Sequence, residues 1–258
     1  MGSIIMDTST RHSRILTSQQ DASPVPKRIG LIALATDHTS ELDFARICDP
    51  EEVGVYVARI SYENPTTPES LKLTGPKLTE AAGLILPDEH LDVVAYGCTA
   101  ASVVLGDETV ANYIQQAKPG SKCVTPTSAA FAAFEALSVN KVSVLTPYSP
   151  LVTEELTTYF SRNGLDVVNW NCFGLDDDRK MARVSRSSII ASAVDTINDT
   201  AEALFISCTA LRAAVCVDEI ERITGKPVVT SNQAVVWRSL RLAGIDRKIP
   251  GYGRLFQI

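Results

Sequence analysis

Several signatures that would assign a function at once are missing from this sequence. The three histidines, His12, His38 and His90, are scattered, and the six cysteines fall in no metal-ligand spacing. A zinc or iron–sulfur site is therefore not indicated, and the metal expectation is none. No GxGxxG follows an apolar run and there is no P-loop, which removes the usual dinucleotide and nucleotide motifs. Flavin and pyridoxal signatures are absent as well. No apolar stretch approaches the roughly 18 residues of a membrane span. Residues 1–27 carry charge but no apolar h-region, so they do not resemble a secretory signal and read as a mobile leader outside the fold. Basic residues are outnumbered, 24 against 30 acidic, and the net charge of −6 gives no footprint for nucleic acid. These absences leave a small molecule as partner, no nucleic acid, no membrane, and reduced thiols in a cytoplasm.

What is present is a globular composition, 45% hydrophobic and 21% charged over 258 residues, enough for two α/β domains. One short signature occurs twice. Gly97-Cys98-Thr99-Ala100 ends the run Leu91–Tyr96, and Ser207-Cys208-Thr209-Ala210 ends Ala203–Ile206. Each run suits a buried parallel strand, and each is predicted to enter a helix directly. A Cys-Thr turn at that junction puts the sulfur near the first free N–H groups of the helix, which favours a thiolate. Cys48, Cys123, Cys172 and Cys216 lack that setting and read as small buried hydrophobes.

The rest of the chain repeats in step. Arg28–Leu34 reads as a strand ending in the polar loop 35–41, and Lys141–Leu145 is its counterpart. A short helix through Phe44 and Ile47, a strand over Val53–Ile60, a Pro-containing loop at 61–67 and a helix over Leu78–Ile85 follow. Lys122–Ser128 leads into a helix at 129–137, as Lys226–Asn232 leads into one at 233–242. The predicted fold is two pseudo-symmetric α/β domains, each a parallel sheet flanked by helices, with the site between them. The first domain is 28–124 and the second 125–230.

Two facing cysteines suit one chemistry. A carbon acid held between them loses a proton to one thiolate and regains one from the opposite thiol, with both pKa values brought toward neutrality from about 8.5. The developing enolate needs donors, and the backbone N–H groups and hydroxyls of Thr99, Thr209 and Thr146 are the candidates. No cofactor is needed. The sulfurs are expected to face each other with room for a small carboxylate between. Ser231 and Asn232 read as caps of the helix they begin.

On KVSVLTPY at 141–148, Met181–Val184, LFISCT at 204–209, GKPVVTSNQAVVW at 225–237 and PGYGRL at 250–255, the chain resembles the aspartate/glutamate racemase superfamily. The likeness falls in its maleate isomerase and arylmalonate decarboxylase branch, and the chain is also similar to ectoine-utilisation racemase-like proteins. The resemblance implies two flavodoxin-like domains, with about 231–258 returning to complete the first, and a homo-oligomer. It makes Cys98 and Cys208 the catalytic pair. It puts Tyr148 on a substrate carboxylate and Thr99 in the turn cradling that group. Decarboxylases of the branch keep only the cysteine at position 208, and maleate isomerases keep both. Where maleate isomerases hold a carboxylate with asparagine, this chain has Asp37 and Asp178, which suit an ammonium. Helix capping by Asp37 and a solvated loop around Asp178 are the structural alternatives. The function implied is a cofactor-independent racemase or epimerase of an amino-acid-like carboxylate, with ectoine or hydroxyectoine utilisation as a setting. A maleate cis–trans isomerase is the alternative, ahead of a decarboxylase or a non-catalytic ligand-binding module.

Overall fold

Apolar runs too short for helices and buried on both faces form the centre of each half. The structure, a computed structural model, describes residues 17–258; most of the leader at 1–27 lies outside them. The first half contains β1 (Lys27–Leu34), α1 (Ser40–Ile47), β2 (Val53–Ile60), α2 (Pro68–Lys72), α3 (Leu78–Leu84), β3 (Val93–Gly97), α4 (Thr99–Leu105), α5 (Asp107–Ala117) and β4 (Lys122–Val124). After α6 (Pro126–Ala136) come β5 (Lys141–Thr146), α7 (Pro150–Arg162), β6 (Asp166–Cys172), α8 (Asp178–Met181), α9 (Arg186–Thr196), β7 (Ala203–Ile206), α10 (Val217–Thr224), β8 (Val228–Thr230) and α11 (Ser231–Ala243).

The strands make two parallel sheets with matching orders, β2-β1-β3-β4 and β6-β5-β7-β8. Every residue of β3 and β7 is buried, as continuous apolar sequence between helical layers requires. The edge strands β2 and β6 are only partly covered. In both sheets the chain leaves the first strand toward one edge and returns on its other side. Each sheet therefore has a switch point, between β1 and β3 and between β5 and β7, where a crevice opens at the carboxyl ends.

The helix after each sheet's fourth strand packs across to the other sheet. α6 lies on the second sheet, where Phe134 and Phe160 meet Phe205 of β7 edge-on at centroid distances of 6.0 and 5.1 Å. Truncating Phe205, which is fully buried, would cost about 3–5 kcal/mol. α11 lies against β1, β3 and α1 and also against α6. Beyond α11 the chain turns to α10: Gly253 N–H donates to Asp218 Oδ1 at 2.6 Å and Arg254 N–H to Glu221 Oε2 at 3.0 Å. Gly253 has a φ of 75°, and a Cβ there would stand 2.4 Å from Val217 Cγ1, so only glycine fits this approach. No helix among the described residues is long and apolar enough to cross a membrane.

Candidate active site

The two switch points face each other and share one small cavity. Leu34 and Asp37 come from the end of β1, Tyr62 and Thr66 from the loop after β2, and Cys98 and Ala100 from the end of β3. The second half contributes Tyr148 after β5, Asp178 at the start of α8, and Cys208, Thr209 and Ala210 after β7. Both cysteines thus reach one cavity. Its volume is about 10 Å³, roughly one water. The expected room for a carboxylate between the sulfurs is not there in this closed arrangement. Loop 61–67 and the segment before α8 close the cavity, through Thr66 N–H to Asp176 O at 2.9 Å and Asn64 Nδ2 to Asp177 Oδ1 at 3.2 Å. A larger groove of about 540 Å³, lined by Pro68, Leu151 and Tyr159 among others, contains neither thiol.

The two thiols are seated differently. Cys98 is the N-cap of α4, with φ −150°, and its Sγ accepts from Ala101 N–H at 3.4 Å. Cys208 has a φ of 91°, and its Sγ accepts from Ala210 N–H at 3.3 Å and lies 3.8 Å from Met181 Sδ. No α-helix follows it directly. A turn and a 3₁₀ segment, Ala214–Cys216, intervene before α10. The prediction of a helix at both cysteines is therefore corrected at the second, where the positive φ turns the chain away from a helical path.

The pKa expectation is corrected as well. Burial pushes the Cys98 thiol well above its ordinary value, and the bond from Ala101 N–H offsets only part of this. Cys208 is likewise pushed up to about 12, by burial first and by the nearby Asp178 charge, against the hydrogen bonds from Tyr148 and Ala210. With water excluded, the charged form loses more than a helix terminus returns.

Two carboxyls complete the cavity, and no lysine or arginine lines it among the described residues. Asp37 accepts from Thr39 N–H at 2.7 Å and Ser40 N–H at 2.9 Å through Oδ1, and from the Ser40 hydroxyl through Oδ2. It therefore holds the start of α1, as the capping alternative expected, and also lines the cavity. Asp178 accepts from the Thr36 hydroxyl at 2.5 Å through Oδ2, and its backbone N–H donates to Asn64 Oδ1 at 3.2 Å. It is buried, which replaces the solvated-loop alternative. Desolvation raises both carboxyl pKa values, and for Asp178 the Asp37 charge adds to the rise.

Of the three threonines, it is the hydroxyls that are already engaged. Thr146 is buried outside the cavity lining, its hydroxyl 2.6 Å from that of Thr153. Thr209 lines the cavity, but its hydroxyl donates to Gly97 O at 2.9 Å. Thr99 donates to Ser231 Oγ at 2.9 Å. The donors left for an oxyanion are backbone N–H groups. Those of Thr99 and Ala100 head α4 and have no intrahelical acceptor. Tyr62, Thr66, Met181 and Ser231 were not singled out as site residues by sequence reasoning. Only the position of Tyr62 and Thr66 after a strand, in a loop with two prolines, could have flagged them.

Two parallel sheets thus meet at their carboxyl ends with a thiol from each in one cavity, and the family match and curated relatives that follow assign the chain to the aspartate/glutamate racemase superfamily in its maleate isomerase branch. A family model described as arylmalonate decarboxylase matches residues 80–256, and the chain belongs to that family. It is 32% identical over 140 residues to an arylmalonate decarboxylase of Bordetella bronchiseptica, a match spanning 53% of this chain and 58% of that protein. It is 24% identical over 243 residues to a maleate isomerase of Pseudomonas putida, spanning 88% and 96%. The solved maleate cis-trans isomerase of Nocardia farcinica with a covalently bound succinylcysteine intermediate superposes with a TM-score of 0.82. That comparison has 21% identity and covers 89% of this chain and 98% of the other. At that identity it shows the fold.

Proposed function

We propose that the protein is a cofactor-independent racemase or epimerase acting on a small amino-acid-like carboxylate, with Cys98 and Cys208 as the acid–base pair. The observation that carries this reading is the charge of the cavity: two buried carboxyls and two thiols, with no cation among the lining residues. A ligand with two carboxylates would add charge to a site whose own acids are already pushed toward neutrality. A ligand ammonium would do the opposite and lower the pKa of thiols and carboxyls together. In this reading Asp178, supported by Asp37, receives the ammonium. The carboxylate lies against Tyr148 and the N–H groups of the Cys98-Thr99-Ala100 turn, with that of Thr209 opposite. One sulfur takes the α-proton as a thiolate, the enolate forms against those donors, and the other sulfur returns a proton to the opposite face. The proton and charge gained by one sulfur are those lost by the other, so the pair is restored in reversed roles.

Two observations favour a second reading, maleate-type cis–trans isomerisation. The maleate isomerase relative is matched over nearly its whole length, and the Nocardia farcinica enzyme carries a succinylcysteine. There Cys98 would add to the double bond and Cys208 would supply the proton, followed by rotation and elimination. Incubation in deuterated water separates the two. Exchange at the α-carbon of an amino acid, including those derived from ectoine or hydroxyectoine, supports the racemase. Conversion of maleate to fumarate without such exchange supports the isomerase. Binding with neither outcome leaves a ligand-binding module and refutes both.

A further inference from the structure

The first turn of α11 belongs to neither cysteine turn, yet it touches both. The N-cap there is Thr230, whose hydroxyl accepts from Gln233 N–H in a capping box, and not Ser231 or Asn232. Both of those side chains are consequently free to point sideways. Ser231 Oγ is fully buried and accepts two hydrogen bonds, from the Thr99 hydroxyl at 2.9 Å and from the Cys208 backbone N–H at 3.0 Å. The first donor follows one thiol in sequence, and the second belongs to the other thiol. Asn232 supports the same turn, giving Nδ2 to Thr209 O and to Asp43 Oδ2, each at 2.9 Å.

We propose that Ser231 is a positioning residue that ties the two cysteine turns to each other, holding the Cys208 thiol in register with a ligand seated at Thr99. Its consequence for turnover rests on the two-thiol reading above; the tie itself does not. A side-chain-bearing residue at a φ of 91° persists only where its surroundings over-determine it. Around Cys208 the fixed points are Ser231 on its N–H, and Thr39 and Asn232 on the carbonyl of Thr209. Without the Ser231 oxygen, a buried N–H and a buried hydroxyl lose their acceptor, and the turn must shift to find another. The same bond withdraws the Cys208 N–H from any substrate carboxylate. That leaves Thr209 N–H as the donor from its own turn, beside those of the Cys98 turn.

The test uses the full-length protein and three variants: Ser231→Ala, Thr99→Val and Ser239→Ala. Ser239 is the control, since it lies on the same helix, is equally buried, and its hydroxyl has no partner among the described residues. Iodoacetamide labelling of each cysteine, mapped by mass spectrometry, is read beside kcat and KM. We expect Ser231→Ala to raise the Cys208 labelling rate by about fivefold or more, as the buried turn loosens. Thr99→Val, although in the other half, should shift Cys208 in the same direction, and Ser239→Ala should not. For turnover, kcat should fall about tenfold in Ser231→Ala with KM little changed. Equal Cys208 labelling in Ser231→Ala and Ser239→Ala overturns the proposal, as does a Cys208 rate unmoved by Thr99→Val. Should Ser231→Ala not fold, Thr99→Val decides. Shifted labelling with unchanged kcat and KM overturns the positioning role. Because labelling needs no substrate, a wild type without turnover would refute the function reading while the tie is still judged by Cys208.

Discussion

Cys98 and Cys208 end equivalent central strands with the same Cys-Thr-Ala sequence, yet one has an extended backbone at φ −150° and the other a left-handed one at 91°. Cys98 lies at a helix N-terminus and is held by its own helix. Cys208 is followed by a turn and is held by residues distant in sequence: Ser231, Thr39 and Asn232. Local sequence therefore suffices to build the first thiol site, whereas the second is built by tertiary contacts. Met181 Sδ lies 3.8 Å from the Cys208 sulfur, whereas the Cys98 sulfur takes Ala101 N–H of its own helix.

The comparison can be broken first at the sulfurs. Cys98→Ser and Cys208→Ser should each abolish racemisation, by about a thousandfold or more, because a serine hydroxyl is a poor acid or base in this range. Chiral chromatography of the product reads this, and a variant retaining racemisation would mean that its cysteine is not one of the pair.

A second handle is Asp43, which supports the Cys208 turn through Asn232. Burial raises its carboxyl from 3.8 to about 6. Between those values the folded chain keeps a proton that the unfolded chain has lost, so this group's contribution falls as pH rises from about 4 to 6. Asp43→Asn should therefore gain on wild type across that window, by on the order of 2–3 kcal/mol at pH 7. Urea unfolding at pH 4 and pH 7 measures it; a difference independent of pH would show that Asp43 is not held with a raised pKa.

Substrate charge comes next. Asp178→Asn should weaken amino-acid ligands by about tenfold or more and improve tolerance of maleate, since a charged contact is worth about 1.5–3 kcal/mol. Calorimetric titration decides, and equal affinity for both ligand classes would return the advantage to the isomerase reading. Asp37→Asn should have the same sign with an added loss of melting temperature, because Asp37 also caps α1.

The smallest effect sharpens the backbone contrast. Glycine should be more stable than alanine at position 208 by about 1 kcal/mol, because of the positive φ there, and no better than alanine at position 98. Chemical denaturation of the four variants gives the comparison, and equal differences at both positions would remove the case for strain at Cys208.

These contrasts mark where the sequence was legible. The apolar runs that became β3 and β7, the repeat of the two halves, and the pair Cys98 and Cys208 could all be read from residue patterns. A helix directly after Cys208 could not be tested that way, because its backbone is set by partners more than twenty residues away. The rise of both thiols could not be read for a related reason: it comes from burial between the two halves, which no local sequence pattern announces. Thr146 and Thr209 had suitable chemistry, but their hydroxyls are engaged by Thr153 and Gly97, contacts that only folding reveals.

The central claim is that the two turns, unlike in structure, serve opposite faces of one carbon. It is tested most directly by following deuterium incorporation from deuterated water into each enantiomer of a substrate amino acid, using Cys98→Ser and Cys208→Ser. The account predicts that each variant exchanges one enantiomer only, and that the two variants choose opposite enantiomers. Exchange of the same enantiomer by both variants, or loss of all exchange in Cys98→Ser alone, would contradict it.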